Sequence, residues 1–199
     1  IAAAGEIAAG DLVIELGPGT GTLTEELLAL PAAKVVAGEI DRDLAAMLRG
    51  KFAGEPRFKL IEGDALAGKH ELNPDLVAAW GTKDEGGRMQ DEKGTFPPPV
   101  KLVANLPYNI ASPLVIELLI AGVQTLAFTV QKEVADRLRA GAGEDAYGSI
   151  SVMVQLLGDV ELMRTLPPQA FWPAPKIDSA LVRIRRRDRL GGSAGRFSQ

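Results

Sequence analysis

Apolar and polar positions along this chain follow two periods, one of strands and one of helices. Asp11 to Leu16 reads as a first strand, with a helix from Thr20 to about Leu30. Lys34 to Glu39 is a second strand, followed by a helix from Asp41 to Phe52, and Arg57 to Glu62 is a third strand. Val100 to Asn105 makes a fourth, with a helix from Ser112 to Ile120. Gln124 to Val130 makes a fifth, with a helix through Arg139. Tyr147 to Leu157 is helix-like, and two final strands lie near Val160 to Thr165 and Ser179 to Arg185. Strands alternating with helices, and apolar on both faces, predict an α/β fold: a doubly wound, mostly parallel sheet covered on both sides. A Pro-rich loop rather than a helix joins the last two strands, so the sheet should end in an antiparallel hairpin.

The rhythm breaks once. Between the third and fourth strands, Asn73 to Trp80 can form a crossover helix, but Gly81 to Pro99 is polar and rich in Gly and Pro ("GTKDEGGRMQDEKGTFPPP"). It reads as a mobile insertion. A crossover helix returns the chain to the edge opposite the strand C-termini, so the insertion should lie away from any ligand bound there. The small, polar tail from Gly191 to Gln199 reads as disordered, leaving residues 1–189 as one domain. Ile1 opens within a helix-like alanine run without a start methionine, which predicts a fragment or altered termini.

Composition narrows the classes. The 199 residues suffice for a core without staples. No apolar run is long enough to span a membrane, and no secretory signal precedes the first strand. Cysteine is absent, which excludes disulfides, thiolate zinc sites and cysteine nucleophiles, and no metal-ligand cluster is visible. Net charge is −4, yet Arg183, Arg185, Arg186, Arg187 and Arg189 crowd one stretch. A solvated strand end is the default reading there and a phosphate-contacting patch the functional one.

The candidate chemistry collects at strand ends. The first strand runs into "ELGPGTGTLTEEL", where Gly17, Gly19 and Gly21 make a tight turn into a helix. The spacing is Gly-x-Gly-x-Gly, not the dinucleotide Gly-x-Gly-x-x-Gly. The second strand ends in Glu39, followed by Ile40. An acid about 20 residues past the glycines can accept both ribose hydroxyls and disfavours a phosphate there. The third strand ends in "EGDAL", where Asp64 can accept from an adenine amine. A turn, a ribose acceptor and an adenine acceptor suit S-adenosylmethionine, which has no pyrophosphate. Singly, Glu39 and Asp64 read as caps or surface carboxylates.

The fourth strand ends in Asn105, Leu106, Pro107 and Tyr108. An adenine amine is a poor nucleophile because its lone pair is delocalised into the ring. Two acceptors on its hydrogens, the Asn105 side-chain oxygen and the Leu106 carbonyl, would free that lone pair. Pro107 carries no competing N–H. Tyr108 can stack on the base, an interaction worth roughly 1–3 kcal/mol.

"IELGPGTGTLTEELL", "GEIDRDLAAML", "EGDAL", "VANLPYNIASPLV", "QKEVADRL", "YGSISVMVQ" and "FWPAPKIDSALVRI" together resemble the ribosomal RNA adenine dimethyltransferases, in that family's order across nearly the whole chain. The resemblance implies a Rossmann-like methyltransferase sheet and dimethylation of two adjacent adenosines near the 3′ end of small-subunit rRNA. It implies a cofactor site of Glu15, Gly17, Gly19, Gly21, Glu39, Ile40, Asp64, Ala65 and Asn105. Asn105, Leu106, Pro107 and Tyr108 would present the amine. Phe171, otherwise a loop anchor among prolines, would form a second aromatic wall. The implied partner is small-subunit rRNA or a pre-ribosomal particle, with no membrane or metal, and the expected state is a cytoplasmic monomer. The family's Gln-x-Phe-Leu segment and helical C-terminal domain are not found between Ile1 and Gln199, so weak binding of cofactor and RNA is expected of this stretch.

Three alternatives stay open: a sister enzyme of the erythromycin-resistance kind acting on large-subunit rRNA, a DNA adenine methyltransferase, and a non-catalytic RNA-binding assembly protein of the same fold. The glycine spacing disfavours a dehydrogenase. His70 reads as surface, Lys132, Glu133 and Arg137 as a solvated helix face, and Trp80 and Trp172 as packing; Lys132 and Lys176 could touch RNA phosphates.

Overall fold

A computed structural model describes residues 1–68, 71–80, 99–107, 110–171 and 174–187, with the backbone of 82–83 and 89–90. The elements are β1 (Leu12–Leu16), α1 (Thr22–Leu28), β2 (Lys34–Glu39), α2 (Arg42–Lys51), β3 (Phe58–Glu62), β4 (Leu66–Gly68), β5 (Glu71–Leu72), α3 (Pro74–Trp80), β6 (Thr82–Lys83) and β7 (Met89–Gln90). They continue with β8 (Val100–Asn105), α4 (Ala111–Ala121), β9 (Thr125–Gln131), α5 (Lys132–Arg139), α6 (Ser149–Leu157), β10 (Gly158–Leu166) and β11 (Ser179–Arg186).

Seven strands form one sheet in the order β10-β11-β9-β8-β1-β2-β3. The five from β9 to β3 are parallel, and β11 and β10 close the sheet antiparallel, as the strand pattern predicts. The chain moves outward from β1 to β3, then returns through α3 to the other side of β1. That reversal between β1 and β8 is a topological switch point, where open sheets bind ligands outside their strand C-termini.

Register sorts the side chains into two cores. Ile14 pairs with Val36 and Leu102, and Leu102 with Leu126; these even-numbered residues face α3, α4, α5 and α6 in the larger core. The odd-numbered Val13, Val35, Val103 and Ala127 face a 3-10 turn (Ala2–Gly5), α1 and Phe52 in the smaller one. Trp80 is buried against the larger core, as a packing residue should be.

Some local expectations are revised. The alanine run supports only the 3-10 turn, and α1 begins at Thr22 rather than Thr20 because Gly21 (φ 80°) cannot continue a helix. A short hairpin, β4 with β5, precedes α3. The outer strand β3 is half exposed rather than apolar on both faces. Of the insertion, β6 pairs with β7; the rest of it up to residue 98, with His70, Tyr108, Trp172, Arg189 and the tail, lies outside the described residues.

Candidate active site

The Gly17 N–H donates to the Gly38 carbonyl (2.9 Å), extending the β1–β2 pairing by one residue. The turn then closes with the Gly21 N–H on the Pro18 carbonyl (2.9 Å). Gly19 and Gly21 both have positive φ, but their surroundings differ. A Cβ on Gly21 would lie 2.8 Å from Leu48 Cδ2 and 2.9 Å from Phe52 Cε2, so this glycine lets the turn pack on α2. A Cβ on Gly19 would meet nothing within 4 Å. One on Gly17 would sit 3.7 Å from Pro107 Cγ, which places the glycine turn against the turn after β8.

Glu39 is 5% exposed at the end of β2. Its Oε2 accepts from the Gly19 N–H (3.2 Å) and its Oε1 from the Asp41 N–H (2.9 Å), tying the glycine turn to the entry of α2. Asp41 caps that helix, its Oδ1 accepting from the N–H groups of Asp43 and Leu44. A carboxylate offers about four acceptor positions, so two backbone donors leave Glu39 capacity for hydroxyls. Beside it Ile40 is 66% exposed, far out of keeping with its apolar side chain. A cavity of about 500 Å³ is lined by Glu39, Ile40, Arg42, Glu62 and Gly63.

Asp64 is exposed just past β3, its Oδ1 accepting from the Leu66 N–H (3.0 Å). Asn73 holds this corner, donating from Nδ2 to the Asp64 carbonyl (2.8 Å) while its Oδ1 caps α3 through the Asp75 N–H (2.9 Å). The sequence reading gave Asn73 no role, although Asn-Pro-Asp is a helix-start signature. Ala65 is half-buried against the larger core.

Glu15 lies deeper, opposite Ala37 and 1% exposed. Its Oε2 accepts from the Thr24 hydroxyl (2.6 Å). Burial pushes its carboxyl up to about 7; the Thr24 hydrogen bond opposes this and the Glu39 charge adds to it. Glu15 therefore sits beneath the cleft rather than on its surface.

Asn105 ends β8 with its side chain exposed, in register with the fully buried Thr129 of β9. The Thr129 hydroxyl donates to Asn105 Oδ1, a contact the sequence reading missed. Leu106 is buried in the larger core and anchors the turn, and Pro107 is exposed beside Gly17. Phe171 follows the 3-10 turn Pro168–Ala170 after β10. Leu166 of β10 pairs with Ser179, and Ser179 with Gln131 at the end of β9, so the loop that carries Phe171 starts from the same sheet edge as Asn105. Glu39, Asp64, Asn105 and the glycine turn thus share one edge across four neighbouring strands.

The family model "Ribosomal RNA adenine dimethylase" matches residues 1–194. The chain belongs to the ribosomal RNA adenine dimethylase family. A ribosomal RNA small subunit methyltransferase A from Synechococcus sp. is 41% identical over 182 residues, covering 88% of this chain and 55% of that protein. The chain therefore spans little more than half the length of such relatives. A crystal structure of a dimethyladenosine transferase from Plasmodium falciparum superposes with TM-score 0.72 at 28% identity, over 94% of this chain and 60% of that one. The 23S rRNA methyltransferase ErmE superposes with TM-score 0.71 at 30% identity, over 94% of this chain and 66% of that one.

In this adenine dimethylase fold Arg183, Arg185 and Arg187 do not reach the site. Arg183 and Arg185 share Glu6 and Glu161, and Arg187 holds Asp159, all toward the opposite end of the sheet. They are partnered within the chain, not displayed as a phosphate patch. Lys132 pairs with Asp136 and Arg137 with Glu133 along α5, in keeping with a solvated face. Among the described residues no group of His, Cys, Asp or Glu could hold a metal, and no helix is long and apolar enough to cross a membrane.

Proposed function

We propose that this protein transfers methyl groups from S-adenosylmethionine to adenine N6 in small-subunit ribosomal RNA, dimethylating two adjacent adenosines near the 3′ end. The observation that carries the reading is the shared edge: acceptors at the ends of β2, β3 and β8 surround a turn that leaves open space above Gly19. That edge fits the cofactor. Glu39 retains acceptor positions for ribose hydroxyls, Asp64 is an exposed acceptor for the adenine amine, and exposed Ile40 with Ala65 offers apolar contact to the base. Gly17, Gly19 and Gly21 keep the turn thin, and Glu15 supports it from beneath through Thr24 on α1. The bound cofactor supplies an electrophilic methyl on a positively charged sulfur.

The chain's own residues align and polarise the acceptor. Asn105 Oδ1 and the Leu106 carbonyl accept the two amine hydrogens, so that developing charge on nitrogen is met by fixed dipoles. Pro107 keeps that turn free of a competing donor. Phe171 and, by the family resemblance, Tyr108 supply aromatic faces for the unstacked base. The protein acts as a cytoplasmic monomer on rRNA and needs neither a metal nor a membrane. The 41% relative, named for the small subunit, favours that substrate over the large-subunit RNA named for ErmE.

Mass spectrometry of small-subunit particles, large-subunit rRNA and duplex DNA, each incubated with isotope-labelled cofactor, tests the reading. Dimethyladenosine should appear in the small-subunit particle alone, and Asn105→Ala should abolish it without unfolding the protein. Labelled large-subunit RNA or DNA, or no label anywhere, would refute it.

A further inference from the structure

The described residues contain one threonine whose placement the strand pattern does not explain. β9 reads Thr-Leu-Ala-Phe-Thr-Val-Gln, and its central residues from Leu126 to Val130 are completely buried. Thr129 lies on the odd-numbered face with Val103 and Ala127, where its neighbours in the smaller core are apolar. A valine would fill the same volume and suit a central strand at least as well. The hydroxyl instead donates to Asn105 Oδ1 on the next strand.

The structure holds the Asn105 carboxamide in one orientation, its oxygen on the Thr129 hydroxyl. Asn105 is exposed, and an exposed carboxamide at a strand end otherwise turns about its last torsion, which is broad and roughly two-fold. The two orientations present opposite chemistry, an acceptor or a donor. Only the acceptor orientation can take a hydrogen from an incoming amine. A carboxamide oxygen has two lone pairs, so one can be held by Thr129 while the other remains for substrate. A hydroxyl buried in the adjacent strand cannot swing away, so the cost of ordering the amide is met before substrate arrives.

We propose that Thr129 is a positioning residue for the methyl-transfer step, locking Asn105 with its oxygen toward the acceptor amine. The proposal rests on the function inferred above for Asn105. It adds a residue on β9, outside the Asn-Leu-Pro-Tyr turn.

The test compares Thr129→Val, which keeps shape but removes the hydroxyl, with Thr129→Ser, which keeps the hydroxyl. The chain has three asparagines, Asn73, Asn105 and Asn109, so selective 15N-asparagine labelling gives three side-chain amide pairs by NMR. The Asn105→Ala variant assigns the relevant pair. In Thr129→Val the Asn105 pair should shift and broaden while the Asn73 pair stays fixed; Thr129→Ser should restore it. With the small-subunit particle as substrate, kcat should fall about tenfold in Thr129→Val. KM for the cofactor should hold, and Thr129→Ser should recover most of the rate. An unchanged Asn105 pair in Thr129→Val would overturn the proposal whether or not the protein methylates RNA. So would a kcat loss that Thr129→Ser fails to rescue in a folded protein. If the wild type methylates no RNA, the functional reading fails, and the NMR arm still decides the geometry.

Discussion

The two ends of β1, with the residues packed around them, treat charge in opposite ways. Around the N-terminal ends of β1 and β8, charges are matched by opposite charges of the same chain. Lys101 bridges to Asp11 at 2.7 Å with side chains 12% and 4% exposed, and it also donates to the Glu6 carbonyl. Arg183 and Arg185 straddle Glu6 and Glu161. At the C-terminal end, Glu39 is held by backbone N–H groups and Glu15 by a hydroxyl. An ion pair consumes a charge, whereas a backbone donor orients a carboxylate and leaves acceptor capacity. The first end is built for stability and the second for a ligand, although both are rich in polar side chains.

Breaking the first end should be costly where it is buried. Lys101→Met leaves Asp11 without its cation in a nearly closed site, and chemical denaturation should show a loss of about 3–5 kcal/mol. Cofactor affinity of the folded fraction should be unchanged.

The glycine turn carries the same contrast within three residues. Gly21→Ala forces a positive φ on alanine and drives its methyl into Leu48 and Phe52, so about 3 kcal/mol of stability should be lost. Gly19→Ala shares the backbone strain but meets open space, so it should cost only about 1 kcal/mol. Calorimetry should nonetheless show a larger loss of cofactor affinity for Gly19→Ala than denaturation shows of stability.

Glu15 sharpens the contrast through pH. Its folded carboxyl titrates near 7 against an ordinary 4.5, so the folded state holds a proton longer than the unfolded one. Stability from this group is full below about 4.5 and is lost as pH rises toward 7, a change on the order of 3 kcal/mol. Glu15→Gln should remove most of that decline, making the variant more stable than wild type at pH 8 and similar at pH 4.5. Equal pH slopes would contradict it. The smallest effect is expected at the exposed pairs, where Arg185→Ala should change stability by less than about 1 kcal/mol.

Much of this was legible because it is local. Periodicity located the strands, and the residues ending them defined an edge once parallel order was inferred. The motif from Asn105 to Tyr108 was visible because it is contiguous. What stayed hidden depends on register or burial. Thr129 meets Asn105 across 24 residues of sequence, and only the β8–β9 pairing shows that both lie on one face. The β4–β5 hairpin is too short to leave a periodic trace. Glu15 looks like any acid at a strand end until burial and Thr24 reveal its depth. The arginine run left a phosphate patch open beside its default reading as a solvated strand end, because its partners, Glu6 and Asp159, lie far away in sequence or on a neighbouring strand.

Chemical-shift mapping of 15N-labelled protein titrated with S-adenosylmethionine tests the division between the two ends most directly. The account predicts shifts at Gly17, Gly19, Glu39, Ile40, Asp64 and Asn105, with Glu6, Lys101, Arg183 and Arg185 unmoved. Shifts concentrated at the arginine end, or absent from the glycine turn, would contradict it.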